Sequence, residues 1–445
     1  MASDNTKTAA SAFDGKHPPS REIIEQCVHC GFCLPVCPTY AMWNEEMDSP
    51  RGRIYLMNLV STGQATMNSQ WVGHFDTCLG CMACMTACPS GVDYGKLIEA
   101  TRAQIERNFD RGGLEKFYRR LIFGLFTRPD RLRLLRLPLL LYQRSGLQEL
   151  ARRSGLLRFL PQRLQSMEAL LPRLPPSEAV AEVTLAIGAR RRRVGMVLGC
   201  VQREFFPQVN AATARVLAAE GCEVISPADQ PCCGALLVHA GEEEGALALA
   251  RHIINVFERA EVETIVTNAA GCGSNMKEYG HLLRDDPNYA ERAKAFSAKC
   301  KDISEILSDL PSVAQRNPLR LRVAFHDSCH LQHAQGIRLQ PRKLLAAIPE
   351  IELVEIPEPA ICCGSAGIYN LVQPNAANEL GDRKAGLITP LDADAVVTGN
   401  PGCILQLQAS LERAGKRIPV VHTIQLLDAS IRGRSLTGEI PDRSA

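Results

Sequence analysis

Cysteine spacing constrains this chain more than any other feature. Cys27, Cys30, Cys33 and Cys37 fall within eleven residues and Pro38 follows the last; Cys78, Cys81, Cys84 and Cys88 repeat the arrangement ahead of Pro89. Each motif reads C-x2-C-x2-C-x3-C-P. Zinc sites commonly use two C-x2-C pairs separated by a longer loop. Three thiolates at steps of three instead let one short loop wrap three corners of a [4Fe–4S] cube, with the fourth cysteine turned away. In two-cluster ferredoxins that fourth cysteine ligates the other cluster. The expected assignment is therefore crossed: Cys27, Cys30, Cys33 and Cys88 hold one cluster, and Cys78, Cys81, Cys84 and Cys37 hold the second. Two such clusters side by side form a path for single electrons.

The chain has 445 residues and 18 cysteines, and 46% of its residues are hydrophobic. That is enough apolar content for several cores, about three domains by length. The opening "MASDNTKTAASAFDGKHPPS" has no apolar segment of the secretory kind. The longest apolar runs, "LIFGLF" and "LPLLLY", fall far short of the ~20 residues of a membrane span. A reducing, cytoplasmic setting follows, with peripheral attachment to the inner face of the membrane as its variant. There, cysteine patterns bind metal or do chemistry more readily than they form disulfides. Between the two motifs, "SPRGRIYLMNLV" offers Ser49 as N-cap and Pro50 at the first helical position. Ile54, Leu56, Met57, Leu59 and Val60 supply its apolar side, and "WVGHFDTC" is a short helical approach to Cys78. Arg51 and Arg53 are either tuning charges beside a cluster or ordinary solvated arginines.

Residues 116–175 carry thirteen basic and three acidic side chains, a net +10, so the rest of a chain of net charge +2 carries −8. Leucines recur there at helical spacings, interrupted by Pro129, Pro138 and Pro161, which predicts short amphipathic helices. "RRRR" at 190–193 extends the basic region 116–193. A solvated linker packing its leucines on neighbours, a dock for an acidic partner, and a face for an anionic membrane all fit. No nucleic-acid module accompanies the charge.

The C-terminal half repeats itself. Cys200, Cys232, Cys233 and Cys272 recur as Cys329, Cys362, Cys363 and Cys403, offset by 129, 130, 130 and 131 residues. In each copy a β-rich run ends at the first cysteine, a helix follows, a second strand leads to Cys-Cys-Gly, and another helix and strand lead to the last cysteine. This βαβ order predicts a small α/β domain with a parallel sheet, its cysteines in loops past the strand ends, where open sheets bind ligands. Gly234 and Gly364 allow the tight turn that aims two adjacent cysteines at one centre. Each quartet suits a further iron–sulfur cluster; reduced structural cysteines and a dithiol redox site are the alternatives. Cys222 and Cys300 remain as ordinary thiols. In "FHDSCHLQH", His326, His330 and His333 crowd Cys329 around Asp327, fit to carry a proton or meet a quinone headgroup, or simply structural.

A twin-cluster domain followed by two such repeats resembles the CCG-domain iron–sulfur proteins, among them heterodisulfide reductase subunits, the C subunit of anaerobic glycerol-3-phosphate dehydrogenase and lactate-utilisation proteins. The stretches "CVHCGFC", "PRGRIYL", "GCGSNMKEYG", "LQHAQ" and "CCGSAGIYNL" are most similar to the iron–sulfur subunits of bacterial glycolate oxidase. The resemblance implies an electron-transfer subunit of a flavin-dependent glycolate (2-hydroxy acid, also D-lactate) dehydrogenase. Its FAD would sit on partner subunits, and electrons would pass to a membrane quinone or another acceptor. No G-x-G-x-x-G follows a strand, so the chain lacks a dinucleotide fingerprint of its own, and no residue is assigned a catalytic role. One departure stands out: modules of the heterodisulfide reductase type end in C-x-x-C, and Asn275 and Gln406 occupy that last position here. A subunit of anaerobic glycerol-3-phosphate dehydrogenase or a heterodisulfide-reductase-like CCG reductase is the second reading.

The expected fold is α+β and multidomain: an α-helical twin-[4Fe–4S] ferredoxin domain followed by two α/β cysteine-rich (CCG) repeats. The boundaries expected are 1–112 for the two-cluster domain, 113–190 for the basic helical linker, 191–316 for the first repeat and 317–445 for the second. Cofactors expected are two [4Fe–4S] clusters and one or two further clusters in the repeats.

Overall fold

The computed structural model describes residues 11–176 and 178–434; the first half of the polar opening segment lies outside them. Described residues up to Arg119, with Leu236–Glu244, cluster into one compact unit, and Arg120–Ala235 with the residues from Gly245 onward into a second.

The first unit is helical. Ser49 caps the helix Pro50–Ser61 by accepting from the Gly52 amide at 3.0 Å, with Pro50 at its first position. Ile54, Met57 and Val60 turn into the core, where Trp71 and Phe75 of the helix Ser69–Asp76 meet them. The Trp71 and Phe75 rings lie 4.2 Å apart. The helix Tyr94–Asn108 adds Leu97, Ile98 and Ile105, each fully buried and each contributing roughly 1.5–3 kcal/mol of apolar burial. Helices place the cysteine loops, as the insert between the motifs predicts.

The second unit holds two sheets. β1 (Val183–Thr184), β2 (Arg192–Met196), β3 (Cys222–Ile225), β4 (Thr264–Thr267) and β5 (Cys300–Asp302) form a sheet of order β1-β3-β2-β4-β5. β6 (Leu321–Phe325), β7 (Ile351–Glu355), β8 (Ala395–Thr398) and β9 (Val420–His422) form the other, of order β7-β6-β8-β9. All pairings are parallel except β1 with β3. The cores of the sheets correspond: β2 and β6 are central, β3 and β7 flank one side, β4 and β8 the other. The antiparallel β1 is too short to announce itself in sequence. Cys222 and Cys300 open β3 and β5 and are buried there.

The basic region departs from its reading in two ways. Pro138 does not interrupt a helix; it sits inside Pro129–Arg144. Its missing N–H deprives only the carbonyl of Leu134, whose residue is 77% exposed, so water can satisfy it. The leucines are also less packed than a linker needs: Leu137, Leu141, Leu150 and Leu156 are exposed as well as Leu134. Among the described residues, no helix is long and apolar enough to cross a membrane.

Candidate metal centres

The two N-terminal loops share an unusual backbone. His29 and Gly31 flank Cys30 with positive φ, and Gly80 and Met82 flank Cys81 likewise. Left-handed residues on both sides of the middle cysteine curl each loop, the geometry of anion-binding concavities. At Gly31 (φ 87°) a Cβ would lie 2.8 Å from Arg51 Nη1. Two of these four residues are not glycine, which is why the feature cannot be read from the sequence.

Cys27, Cys30, Cys33 and Cys88 line one cleft with Arg51, Cys84 and Tyr94. Burial pushes the Cys33 thiol up to about 11 and raises Cys27, with Cys88 adding to the latter. Cys84 is pushed well up by burial and then by the neighbouring Cys81, Cys78 and Cys37. The donor sulfurs thus form two overlapping groups: Cys88 lies beside the first motif, and Cys37 acts on both Cys33 of the first and Cys84 of the second. Thiols raised by burial become thiolates when a positive metal centre sits among them, so the residues fit iron–sulfur clusters.

Cys78 is different. Burial alone would raise it, but Arg53 and Arg102 outweigh burial, aided by the Gly80 amide and the Tyr94 hydroxyl, so its thiol is lowered. Arg53 is 1% exposed. It donates to the His74 carbonyl (2.6 Å), Thr39 Oγ1 (3.2 Å), Thr77 Oγ1 (3.1 Å) and Asp48 Oδ1 (3.2 Å). The solvated reading of this arginine therefore fails; Arg51, paired with Glu46 at 2.6 Å, is half-exposed.

In the first repeat, Cys200 and Cys232 Sγ lie 3.5 Å apart, and Cys233 is within hydrogen-bond reach of Cys232 and Cys272. In the second, Cys329 and Cys362 lie 4.0 Å apart, and Cys363 reaches Cys362 and Cys403. The quartets sit past the ends of the parallel strands. Asn275, where a fifth cysteine would stand, donates to the Cys233 carbonyl at 2.7 Å. Gln406 donates to the Ala377 carbonyl at 2.8 Å and accepts from Asn370. Asn275 thus braces the Cys-Cys-Gly turn, and Gln406 ties its helix to Pro374–Ile388 and Asn370.

The surroundings of the quartets differ. Cys200, Cys232 and Cys233 are all raised. In the second copy Cys363 is raised while Cys403 is lowered to about 5, by its hydrogen bond with Cys363 first and by His326 after opposing burial. Of the three histidines near Cys329, His326 faces the sulfurs, His330 pairs with Ser274 Oγ at 2.8 Å, and buried His333 is lowered to about 4 by desolvation and Arg338. Asp327 is held by Arg342 at 2.7 Å. Lys384 and Asn400 also approach this pole, and sequence reading missed them: Asn400 Nδ2 donates to Cys403 Sγ at 3.4 Å, and buried Lys384 donates to the Glu358 carbonyl at 2.7 Å. The signal was available, because the matching first-copy positions are the apolar Ala269 and Ile253.

A helical dicluster unit and two parallel sheets with cysteine poles define an iron–sulfur protein of the electron-carrier class. Family models agree along the chain: a 4Fe-4S dicluster domain matches residues 23–92, the linker region of the glycolate oxidase iron-sulfur subunit matches 114–171, and a cysteine-rich domain matches 194–277 and 323–408. The probable glycolate oxidase iron-sulfur subunit of Bacillus subtilis is 41% identical over 90% of this chain and 92% of its own. The glycolate oxidase iron-sulfur subunit of Escherichia coli is 36% identical over 92% of this chain and 94% of its own. The lactate utilization protein A of an Exiguobacterium species is 29% identical over 54% of this chain and 98% of its own. This chain belongs to the glycolate oxidase iron–sulfur subunit family.

Proposed function

We propose that this chain carries electrons, one at a time, from FAD-containing partner subunits that oxidise glycolate, and D-lactate as well, to a quinone at the cytoplasmic face of the membrane. The observation that carries this reading is the set of sixteen cysteines gathered into two N-terminal groups and two strand-end quartets, in a chain similar end to end to two glycolate oxidase subunits. Cys27, Cys30, Cys33 and Cys88 would hold one [4Fe–4S] cluster and Cys78, Cys81, Cys84 and Cys37 a second. Cys200, Cys232, Cys233 and Cys272, and Cys329, Cys362, Cys363 and Cys403, would hold further iron. When bound, such clusters exchange single electrons at potentials set by their ligands and surroundings. The chain's own residues do the setting: Arg53 and Arg102 place positive charge beside Cys78, and burial shields Cys37, Cys78, Cys81 and Cys84 while Cys30 is exposed. Substrate chemistry belongs to a flavin elsewhere. The exposed leucines of Pro129–Arg144, interleaved with arginines, suit docking on a partner subunit.

The test is anaerobic purification with iron and acid-labile sulfide counted per chain, then glycolate-driven quinone reduction with the flavoprotein subunits added. Twelve or more irons, and reduction that requires both this chain and its partners, is expected. Eight irons would restrict the clusters to the N-terminal motifs. Quinone or disulfide reduction by the chain without partners would favour a self-sufficient reductase instead.

A further inference from the structure

The two cysteine poles come from copies of one module, and among the described residues only the second groups a histidine nitrogen with its sulfurs. His326 directly follows β6, three residues before Cys329; its counterpart before Cys200 is Val197. The His326 ring nitrogen and the sulfurs of Cys363 and Cys403 all lie within 4.8 Å of one another. All three residues are buried, at 2%, 1% and 3% exposure. Donors bonded at 2.0–2.3 Å to one tetrahedral metal stand about 3.3–3.8 Å apart; these three lie within 4.8 Å of one another, so closing by about an ångström brings them onto a single ion. Cysteines on separate corners of a cube need not be that close.

A second observation points to an anionic centre at the same pole. Lys384 occupies a core-facing position of the helix Pro374–Ile388, where the first copy has Ile253. It is 1% exposed, and its Nζ donates to a neutral backbone carbonyl, that of Glu358. A buried ammonium is costly unless opposite charge compensates it. Burial lowers its pKa, and Cys363 and Cys362, ahead of Glu358 and Asp327, are the groups that favour its charge. The first pole, with Val197 and Ile253, has neither the imidazole nor the ammonium.

We infer that His326 is a metal ligand, sharing one iron with Cys363 and Cys403, so that the second pole is a mixed nitrogen–sulfur centre and the first an all-thiolate one. This rests on the reading that the repeats bind iron. Both poles keep four thiolates, so the neutral imidazole adds a donor without adding negative charge, and the charge that differs between the poles is the ammonium of Lys384 beside Cys363 and Cys362; positive charge near a cluster raises its potential. The second pole is then the higher-potential of the two repeats.

The experiment uses the full chain purified without oxygen from cells fed 15N-histidine, with iron and zinc counted and the reduced protein examined by pulsed EPR. Expected are twelve or more irons and a directly bonded imidazole nitrogen coupling. In His326→Cys that coupling vanishes while iron content holds, and one midpoint potential falls. Twelve or more irons without a histidine coupling, or a coupling that survives in His326→Cys, overturns the ligand assignment alone. Eight irons and no other metal overturns both this assignment and the iron reading of the repeats. Eight irons plus a zinc ion that His326→Ala releases overturns the iron reading and keeps His326 as a ligand.

Discussion

Cys37 belongs by sequence to the first motif, and its sulfur raises both Cys33 of that motif and Cys84 of the second. On the crossed assignment Cys37→Ser should remove the cluster built on Cys78, Cys81 and Cys84, and leave the spectrum of the one on Cys27, Cys30 and Cys33. EPR of the reduced variant reads this directly, and loss of the first-motif signal instead would refute the crossed assignment. Sequence suggested this exchange because the fourth cysteine, four residues past Cys33 and followed by Pro38, matches the two-cluster ferredoxin pattern in which it ligates the other cluster. Arg53 was not legible in the same way. Its burial depends on Thr39, Asp48, His74 and Thr77, residues up to 24 positions away, and a local window sees only a basic residue at a helix start.

The Cys-Cys-Gly turns show how an element can look the same in two copies and differ in tolerance. Gly234 and Gly364 both adopt positive φ, 81° and 91°. A Cβ at Gly234 would meet the Ala246 carbonyl at 3.5 Å, ordinary contact; at Gly364 it would meet the Ala377 carbonyl at 2.5 Å. Gly234→Ala should cost only the left-handed strain, on the order of 1–3 kcal/mol. Gly364→Ala must also move a helix backbone and should cost visibly more, with loss of metal from the second repeat. Denaturant midpoints and metal content of the two variants check this, and equal costs would show that the helix Pro374–Ile388 yields freely. The glycines were legible in sequence as turn formers; which of them is also a packing contact was not.

The two repeats lock together through His422. Its Nε2 donates to the Asn268 carbonyl of the other copy at 2.8 Å, while Nδ1 accepts from the Ile424 amide at 3.1 Å and caps the helix Thr423–Arg432. The Nδ1 bond needs the neutral ring, and burial holds it down to about 4 from 6.5. The unfolded chain takes up a proton first as pH falls. The stabilisation is thus complete above pH 6.5 and lost on acidification through about 4, amounting to about 3 kcal/mol. Thermal unfolding between pH 7.5 and 4 should show that decline, and His422→Gln should flatten it; an unchanged slope in the variant would assign the acid sensitivity elsewhere.

At the scale of the whole chain, the sequence by itself determined what repeats along it: the doubled cysteine motif, the 130-residue duplication, the alternation of strand and helix, and the helix cap at Ser49 and Pro50. Each is a periodicity or a local hydrogen bond, carried by neighbours in the chain. Tertiary structure decided what depends on convergence. It buried Arg53, kept Pro138 inside a helix by leaving Leu134 to water, and left the linker leucines uncovered. It also set His326 and Lys384 against one cysteine quartet, where the other copy carries Val197 and Ile253 at the matching positions. Parallel strands gather loops from distant segments at one sheet edge, so the chemistry at that edge follows from which side chains the fold brings together there, a relation no spacing within one segment records.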